Sequence, residues 1–536
     1  MKKQTLLIVT LVLFFMAFQP STNFAFSFTK TVGGTNNDFA YHSARAHDGG
    51  VVVVGSSESF GSGVLDTTDN YIIKLDPSGN VLWSRTIGSS NQEELYWVEP
   101  TEDSAYVVCG TIRKLPVLPN ELEVFKIDDA GNVLWKRRYT ITGSEVAHCI
   151  RSVPGGFMLV CETDNGADYD FAALRLDLNG NVLWSKSYGT NEFDIPIYVE
   201  PTSDGGYLLG GNSRVGIYHS SVYIVKTDSS GNFQWSKKYN TSPAFSKCYF
   251  SRALETADHG FIISGATNAD NLVINDALLI RTDSLGNIRW IYTYGEQGND
   301  EANDMKILQD GSYLICGSTS SIDNTGLNDM MMMQTDTSGM ITGSWAWGFA
   351  GQEDDAYSFV LLENNEVFVS GITDFTNSGW FDIMIERANL GQNGNCSELV
   401  PNFRRLPSTI GVISGPTISD TLLVAVSTLP VPEGQGALDS TICSTTTGIT
   451  QLETQLKGFV FPNPCTHSFN YEFEGSSSNS STQFTLSSTT GAIVLKKNLS
   501  SGSKGEIQLD GISDGIYFGE INCGEKFWRG KIVVQN

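Results

Sequence analysis

One nine-residue phrase recurs along the chain, and it constrains the fold more than any other feature. It joins an Asp-x-x-Gly-Asn turn to a strand that ends in tryptophan, as in LDPSGNVLW. The tryptophans are 52, 49, 51 and 55 residues apart, at Trp83, Trp135, Trp184, Trp235 and Trp290. A period of about 50 residues, with strands and Gly-rich turns and no helical spacing, is typical of four-stranded propeller blades. The chain is therefore predicted to be all-β.

A second repeated phrase gives the number of blades. It is an apolar strand, and its seven copies end at Gly55, Gly110, Cys161, Gly211, Gly265, Gly317 and Gly371. Each unit then contains strand 1, a turn, this strand 2, a variable loop, strand 3, the Asp-x-x-Gly-Asn hairpin and strand 4. Seven copies predict a seven-bladed β-propeller.

The last repeat lacks a fourth strand, and the start of the chain offers one. The repeat ends near Leu390 without a tryptophan strand, whereas Phe28 stands five residues before a glycine, as Trp184 does in a complete repeat. We expect residues 26–392 to form the propeller, with Phe26 to Val32 as the outermost strand of the last blade. This closure would remove the open edges of a linear array.

The first residues are typical of an export signal. Lys2 and Lys3 precede an apolar run from Leu6 to Phe18, and small residues follow near Ala25. This pattern predicts a signal peptide over residues 1–25. The apolar run has 13 residues, whereas a membrane-spanning helix needs about 20. No transmembrane segment is therefore predicted in the mature chain.

Charge and motif content argue against several classes of function. The chain has 34 Lys and Arg residues and 59 Asp and Glu residues, so its net charge is −25. Such a charge repels nucleic-acid phosphates. The six histidines form no HExxH or paired Cys/His spacing, and no phosphate loop or nucleophile elbow occurs. The sequence therefore predicts no nucleic-acid partner, no metal, no cofactor and no catalytic residues.

Acidic residues recur at the predicted start of strand 1. Counting back from the end of strand 2 gives Asp38, Glu93, Ser144, Asp194, Cys248, Asp300 and Asp354 as equivalent positions. Because strand 1 is the innermost strand of a blade, the five carboxylates are predicted to ring one mouth of the central channel. Neighbouring carboxylates repel each other by about 2 kcal/mol per pair. Hydrogen bonds from backbone N–H groups, a bound cation or water must offset this repulsion. Repetition favours a structural hydrogen bond over a cation site, because ligand sites gather unlike residues.

A second acidic series opens strand 3, and a basic series follows five residues later. The acidic members are Asp69, Glu121, Asp170, Asp276, Asp329 and Asp382. The basic members are Lys74, Lys126, Arg175, Lys226, Arg281 and Arg387. An odd offset places the two series on opposite faces of the strand. We therefore expect the basic residues to form cross-strand or inter-blade bridges.

Binding specificity is expected where the repeats differ, which is in the loops after strand 2. Tyr218, Phe375 and Trp380 in these loops are candidates for stacking on sugars. The alternative is that they are scattered loop aromatics without a function.

Three cysteine pairs are candidate disulfides. Cys149 and Cys161 flank the turn at Pro154 almost symmetrically, which predicts that they lie opposite each other on adjacent strands. The other pairs are Cys396 with Cys443, after the propeller, and Cys465 with Cys523, near the end of the chain. Alternatively, the thiols are small core residues, as expected for Cys109 and Cys316.

The repeated GNVLW strand resembles the tryptophan-docking repeat of quinoprotein (PQQ) propellers over residues 26–392. The resemblance concerns the scaffold, because quinoprotein dehydrogenases commonly carry adjacent cysteines at the cofactor and this chain has no Cys-Cys pair. The tryptophans are expected to fill the space between blades, and no cofactor is implied.

Residues 451–536 resemble the type A sorting domain of the type IX (Por) secretion system. The resemblance rests on FPNP from Phe461, STTGAIVL from Ser488, LDGISDGIYFGEI from Leu509 and the ending WRGKIVVQN. It implies a small immunoglobulin-like β-sandwich that contacts the type IX machinery. It also implies delivery to the outer cell surface or the medium, and residues 393–450 are expected to be a linker or β segment.

These features favour a non-catalytic binding or adhesion module with a glycan or protein ligand. The alternative is a secreted enzyme, a hydrolase, lyase or quinoprotein-like oxidoreductase, with its site at the channel mouth. Propellers carry both kinds of function. Unlike titratable residues that converge from different blades would indicate an active site.

Overall fold

The computed structural model describes residues 25–389 apart from short loop segments, the strands within 404–444, and most of 454–534. The segments omitted from the first range are 61–66, 115–118, 142, 165, 217–218, 241–246, 269–273, 322–325, 350, 364 and 375–380. The predicted signal peptide lies outside the described residues up to position 24. The chain divides into two compact units, Met1–Thr445 and Thr446–Asn536.

Seven antiparallel sheets in the first unit confirm the predicted seven-bladed β-propeller. The strand that precedes blade 1 in the chain is β1 (Ala25–Gly33). Blades 1 to 3 are β2 (Asp38–Arg45), β3 (Val51–Ser57), β4 (Asp69–Leu75), β5 (Val81–Ile87); β6 (Gln92–Pro100), β7 (Tyr106–Arg113), β8 (Glu121–Ile127), β9 (Val133–Thr140); β10 (Glu145–Val153), β11 (Gly156–Asp164), β12 (Tyr169–Leu176), β13 (Val182–Gly189).

Blades 4 to 7 follow the same order along the chain. Their strands are β14 (Phe193–Pro201), β15 (Tyr207–Val215), β16 (His219–Thr227), β17 (Phe233–Asn240); β18 (Cys248–Glu255), β19 (Phe261–Thr267), β20 (Asp276–Thr282), β21 (Ile288–Gly295); β22 (Asp300–Ile307), β23 (Tyr313–Thr319), β24 (Asp329–Thr335), β25 (Ile341–Trp347); β26 (Asp354–Leu361), β27 (Glu366–Thr373), β28 (Asp382–Asn389). The first strands of neighbouring blades contact one another around the whole ring, including β26 with β2.

The N-terminal strand closes the ring as predicted. β1 pairs antiparallel with β28 of blade 7, with Phe28 opposite Arg387 and Val32 opposite Ile383. It is the fourth strand of this blade but not the outermost one, because a further strand pairs with its other edge. The prediction missed that strand because it comes from beyond the repeats.

Residues 404–444 add a fifth strand to six of the seven blades. The six strands are β29 (Arg404–Pro407), β30 (Gly411–Ile413), β31 (Ile418–Thr421), β32 (Ala425–Thr428), β33 (Glu433–Gly434) and β34 (Leu438–Ser444). They pair antiparallel with the fourth strands of blades 5, 4, 3, 2, 1 and 7 in that order. We call these six strands the belt. The belt runs backwards around the ring and covers backbone edges that would otherwise be open.

The repeated tryptophans pack between blades. Each lies against the glycine of the Asp-x-x-Gly-Asn turn in the next blade, and Phe28 occupies the same place on Gly79. Gly131, for example, has φ of 82°, and an added Cβ would lie 3.1 Å from the Trp83 ring. Glycine is required there both by the left-handed backbone and by the close ring. The tryptophans therefore fill space between blades, as expected.

The basic residues of strand 3 form cross-strand ion pairs. Lys126 Nζ lies 2.6 Å from Asp103 and Lys226 Nζ lies 2.8 Å from Asp204, both in the turn between strands 1 and 2 of the same blade. Lys74 also reaches the next blade, at 2.6 Å from Asp129. These bridges tie strand 3 to the hairpin between strands 1 and 2 in blades 1, 2, 4 and 5.

The second unit is a small β-sandwich. Its strands are β35 (Thr454–Gln455), β36 (Lys457–Phe461), β37 (Ser468–Glu474), β38 (Thr482–Ser488), β39 (Ile493–Leu499), β40 (Lys504–Gln508), β41 (Gly515–Cys523) and β42 (Lys526–Val534). One sheet has the order β35-β42-β41-β38-β39 and the other β36-β37-β40. Phe469, Phe484, Ile507 and Ile532 are buried together in its core. This arrangement is consistent with the predicted immunoglobulin-like domain.

A buried carboxyl group at the closing joint makes stability depend on pH. Glu386 of β28 is 1% exposed, and its Oε1 accepts a 2.9 Å hydrogen bond from Thr29 Oγ1 of β1. Burial raises the pKa of Glu386 from 4.5 to about 8. Between these values the folded state keeps a proton that the unfolded state has released, so stability falls as pH rises.

We expect Glu386→Gln to weaken this pH dependence. The amide keeps the acceptor for Thr29 and removes the titrating proton. Thermal unfolding from pH 5 to 8 measures the effect. The stability of the variant should fall less steeply with pH than that of the wild type, by up to about 1.4 kcal/mol per pH unit. Glu363→Gln, at a side chain that is 81% exposed, is the control and should keep the wild-type slope. An unchanged slope in Glu386→Gln would contradict the assignment.

Candidate functional site

A β-bulge in every first strand decides which side chains face the propeller axis. Residues are counted here from the position that aligns with Asp38 of blade 1, which is the second residue of β6 and of β14 and the first residue of the other first strands. The register shifts after the third residue in this count, for example between Ala40 and His42 in blade 1 and between Phe250 and Arg252 in blade 5. The bulge inverts the alternation of side chains along the strand. The second, fourth and fifth residues therefore face the axis, whereas the first and third face the joints between blades. We call the end where first strands begin the upper end.

The predicted acidic ring lies in the blade joints and not at the channel mouth. Asp38, Glu93, Asp194, Asp300 and Asp354 are at most 2% exposed. Most accept a backbone hydrogen bond from the loop that follows strand 4 of the preceding blade. Gly34 N donates to Asp38 over 2.7 Å and Phe349 N donates to Asp354 over 2.6 Å. The predicted location was wrong because the first residue lies on the opposite strand face from the axis.

Blade 3 contributes Glu145 to this series and not Ser144. Glu145 N donates to Asn120 O, which matches the bond from Glu93 N to Thr68 O in the blade before. The count from the sequence was one residue off because the hairpin between β10 and β11 is tight, with Val153 opposite Gly156. Six of the seven positions are therefore acidic.

Asp38, Asp300 and Asp354 each face an acidic residue of the preceding blade across a glycine. An added Cβ at Gly295 would lie 2.3 Å from Asp276 Oδ1 and 2.5 Å from Asp300 Oδ2, so these oxygens come from strand 3 of one blade and strand 1 of the next. Burial raises the pKa of Asp300 to about 6 and that of Asp354 to about 7, and neighbouring carboxylates add to the shift. The pairs hold adjacent blades together through the backbone between them.

Unlike side chains from different blades meet on the axis below the bulges. Arg252 of blade 5 donates from Nε to Asp304 of blade 6 over 2.7 Å. Its guanidinium lies 4.6 Å from the ring centroids of both Trp97 and Tyr198, which come from blades 2 and 4. His42 of blade 1 stacks on Trp97 at 3.6 Å. All five side chains are at least nine-tenths buried.

A second layer lies directly beneath. Arg151 of blade 3 pairs with Glu99 at 3.1 Å and with Glu200 at 3.0 Å, and Lys306 lies 3.3 Å from Asp304. Three cations thus face three carboxylates. We call these two layers the axial plug. Residues of non-adjacent blades touch across the axis, so their side chains occupy the channel at this depth. We call the space above them, between the first strands, the upper cup.

The upper cup is lined by the second and fourth residues of the first strands. All are partly exposed. Aromatic and acidic members come mainly from blades 5, 6, 7, 1 and 2, and aliphatic ones from blades 3 and 4. The aromatic members are Phe39, Tyr41, Tyr96, Tyr249 and Tyr357. The acidic members are Glu94, Glu301 and Asp355, and the aliphatic members are Val146, Ile195 and Ile197.

The carboxylates of the upper cup differ in their partners. Glu94 is paired with Arg113 at 3.2 Å. Glu301 accepts a 3.1 Å hydrogen bond from the side-chain amide of Asn275. Asp355 accepts a 3.1 Å hydrogen bond from the side-chain amide of Asn328 and a further one from Ser318. Burial and the nearby charge of Asp355 raise the pKa of Glu301, and burial raises that of Asp355. Negative charge is therefore concentrated beside blades 6 and 7.

The axial residues could have been found by aligning the first strands and looking for positions that differ. Recurrence along the sequence points to the joint carboxylates instead. The bulge is not visible in the sequence, so the sequence does not show which residues of strand 1 face the axis. The loop aromatics Tyr218, Phe375 and Trp380 lie outside the described residues.

Cys149 and Cys161 do not form a disulfide in the structure, and both are buried free thiols. Cys161 lies opposite Ala147, and Cys149 lies opposite Val160, because the bulge of β10 shifts the register. Cys396 and Cys465 lie outside the described residues, as do the side chains of Cys443 and Cys523. Those two pairs stay predictions.

Within the described ranges, no three His, Cys, Asp or Glu side chains form a group that could hold a metal ion. A search of the same ranges for a helix of sufficient length and apolarity to cross a membrane finds none.

Comparison with known proteins identifies the second unit. Residues 459–535 match the family described as the secretion system C-terminal sorting domain (Por_Secre_tail). This domain indicates export, with secretion or attachment to the cell surface, and implies interaction with the type IX machinery. The chain is thus an exported protein made of a seven-bladed propeller and a sorting domain.

No curated protein matches this chain. Among solved structures, the chain was aligned with the crystal structure of the "tetra-tandem repeat in extending region of large adhesion protein". That alignment has 12% identity and a TM-score of 0.12 and covers 78% of this chain and 95% of the other. At this TM-score it carries no argument about fold or function. The resemblance to quinoprotein repeats is not confirmed and stays a prediction.

Proposed function

We propose that the exported propeller is a carbohydrate-binding module and that its ligand lies in the upper cup. The observation that carries this proposal is the set of unlike, partly exposed aromatic and acidic side chains around the upper cup on the axis. Unlike side chains from several blades are what a ligand site requires, since a scaffold contact would repeat in each blade.

The chemistry of the upper cup fits a sugar. Tyr357, Tyr41 and Tyr249 offer ring faces for the apolar face of a pyranose. The carboxylates of Glu301 and Asp355 accept hydrogen bonds from hydroxyl groups. The aliphatic wall of blades 3 and 4 adds apolar contact, and the axial plug lies beneath. Small-molecule sites commonly combine such walls with a few placed polar groups.

Removal of the aromatic rings should weaken ligand binding. The purified propeller is screened on a glycan array, and the affinity for the selected glycan is measured by calorimetry. We expect Tyr357→Ala and Tyr41→Ala to weaken binding by about tenfold or more, as the loss of a stacking ring worth about 1.4 kcal/mol would do. Tyr169→Ala, which removes a ring paired with Phe193 in another part of the ring of blades, is the matched control. Unchanged affinity in both cup variants would contradict the proposal.

One observation favours a second candidate, a secreted glycoside hydrolase. The pKa values of Glu301 and Asp355 are both raised, which suits a general acid beside a second carboxylate. In that case the selected glycan would be cleaved during the titration, and Glu301→Gln would bind it without cleavage. Product analysis by mass spectrometry separates this outcome from simple binding.

A further inference from the structure

A lysine, a glutamate and an asparagine meet in the joint between blades 1 and 2. Asn70 lies on β4 of blade 1, whereas Glu123 and Lys136 lie on β8 and β9 of blade 2. Glu123 Oε1 accepts a hydrogen bond from Asn70 Nδ2, and Glu123 Oε2 lies 2.9 Å from Lys136 Nζ. One carboxylate therefore contacts an amine and a carboxamide that belong to different blades.

All three side chains are buried. Asn70 and Glu123 are 0% exposed and Lys136 is 7% exposed. Lys136 Nζ lies 5.2 Å from the ring centroid of Phe125, and Asn70 Oδ1 has no hydrogen-bond partner among the described residues. A buried ion pair and an unpartnered amide oxygen both cost free energy in a low-dielectric interior. Stability alone therefore does not account for this set of residues.

The repeats place other residue types at the equivalent positions. The equivalents of Asn70 are all apolar, namely Leu122, Phe171, Val222, Ala277, Met330 and Ile383. Those of Glu123 are aromatic or aliphatic, namely Tyr71, Ala172, Tyr223, Leu278, Met331 and Met384. The residue at the position of Lys136 is serine in blades 1, 3, 4 and 6. A contact that only held neighbouring blades together would recur, so the three residues indicate a separate role for this joint.

We propose that Lys136 and Asn70 become joined by an isopeptide bond, with Glu123 as the acid–base group, so that blades 1 and 2 are covalently linked. The reacting groups share one carboxylate, which supplies the proximity that the reaction needs. The low-dielectric joint favours proton transfer from the Lys136 ammonium to Glu123, because the transfer converts a buried ion pair into a neutral pair.

The reaction proceeds by attack of the amine on the carboxamide. Nζ of Lys136 forms a bond with Cγ of Asn70, and the electron pair of the carbonyl moves to Oδ1. Glu123 passes its proton to Nδ2 and takes a second proton from Nζ. The carbonyl then re-forms, the Cγ–Nδ2 bond breaks, and ammonia leaves while Glu123 keeps the second proton. The products are an uncharged amide cross-link and free ammonia, and no oxidant or cofactor is consumed.

Peptide mapping of the purified protein tests the proposal. The protein is denatured, digested with trypsin and analysed by mass spectrometry. Trypsin does not cut at a lysine whose amine is in amide linkage, so we expect one branched peptide of residues 46–74 and 127–137. Its mass should equal the sum of the two peptides less one molecule of ammonia. Two separate peptides, or a loss of ammonia that maps to a residue other than Asn70, would overturn the proposal.

Three variants test the assigned roles. Glu123→Gln removes the group that transfers protons, and Lys136→Arg keeps the positive charge but removes the amine, so both should give separate peptides. Glu363→Gln, at a side chain that is 81% exposed, is the matched control and should keep the branched peptide. A branched peptide in Glu123→Gln at the wild-type yield would contradict the role of Glu123. The wild-type map decides whether the bond forms even where a variant does not fold.

Discussion

Replacement of Arg252 by methionine is expected to destabilise the propeller by about 3–5 kcal/mol. Arg252 is 4% exposed and Asp304 is 1% exposed, and the substitution leaves this carboxylate in a low-dielectric interior with Lys306 as its remaining ion-pair partner. Methionine also loses the cation–π contacts with Trp97 and Tyr198. Chemical denaturation at pH 7 measures the loss.

Two further variants establish the cause. Arg45→Met removes an ion pair with Glu363 whose side chains are 45% and 81% exposed, and exposed pairs contribute at most about 1 kcal/mol. The double variant Arg252→Met/Asp304→Leu should recover part of the loss, because the buried carboxylate is removed together with Arg252 and the other partner of Asp304, Lys306, is 29% exposed. A single variant within 1 kcal/mol of the wild type, or a double variant no better than the single one, would contradict the role of the axial plug.

Truncation after residue 392 is expected to lower the Tm by about 10 °C or more and to cause aggregation, because several kcal/mol of edge pairing are lost. The truncation removes the belt, so that six blades lose their fifth strand. Blade 7 is most affected, since β34 pairs with β1 from Phe28 to Gly33. Exposed strand edges pair with other chains.

Truncation after Thr445 is the matched control. It keeps the belt and removes only the second unit, so we expect the wild-type Tm for the propeller. The same truncation should stop export beyond the outer membrane, because residues 459–535 carry the sorting domain. Thermal unfolding and cell fractionation measure the two effects. Equal Tm values for the two truncations would show that the belt does not stabilise the ring.

The repeats made most of the fold predictable. Copies of strand 2 gave the blade number, and the spacing of Phe28 gave the ring closure, because a propeller repeats its local sequence in every blade. The sorting domain was recognisable from FPNP and the final strands. These features depend on local sequence and on its repetition.

The belt and the candidate site were not predictable for two physical reasons. The belt strands are 2 to 7 residues long and pair with strands far away in the chain, so no local pattern marks them. The upper cup depends on the β-bulges, which change the side of the strand that faces the axis. As a result the sequence pattern predicts Asp38 at the channel mouth and does not indicate that Glu301 faces the axis.

A crystal structure of the propeller with the glycan selected on the array tests the central claim most directly. We predict a sugar ring in the upper cup, stacked on Tyr357 or Tyr41 and within hydrogen-bond distance, about 3 Å, of Glu301 or Asp355. Density for the glycan at the lower end of the ring or on the outer strands, with an empty upper cup, would contradict the account.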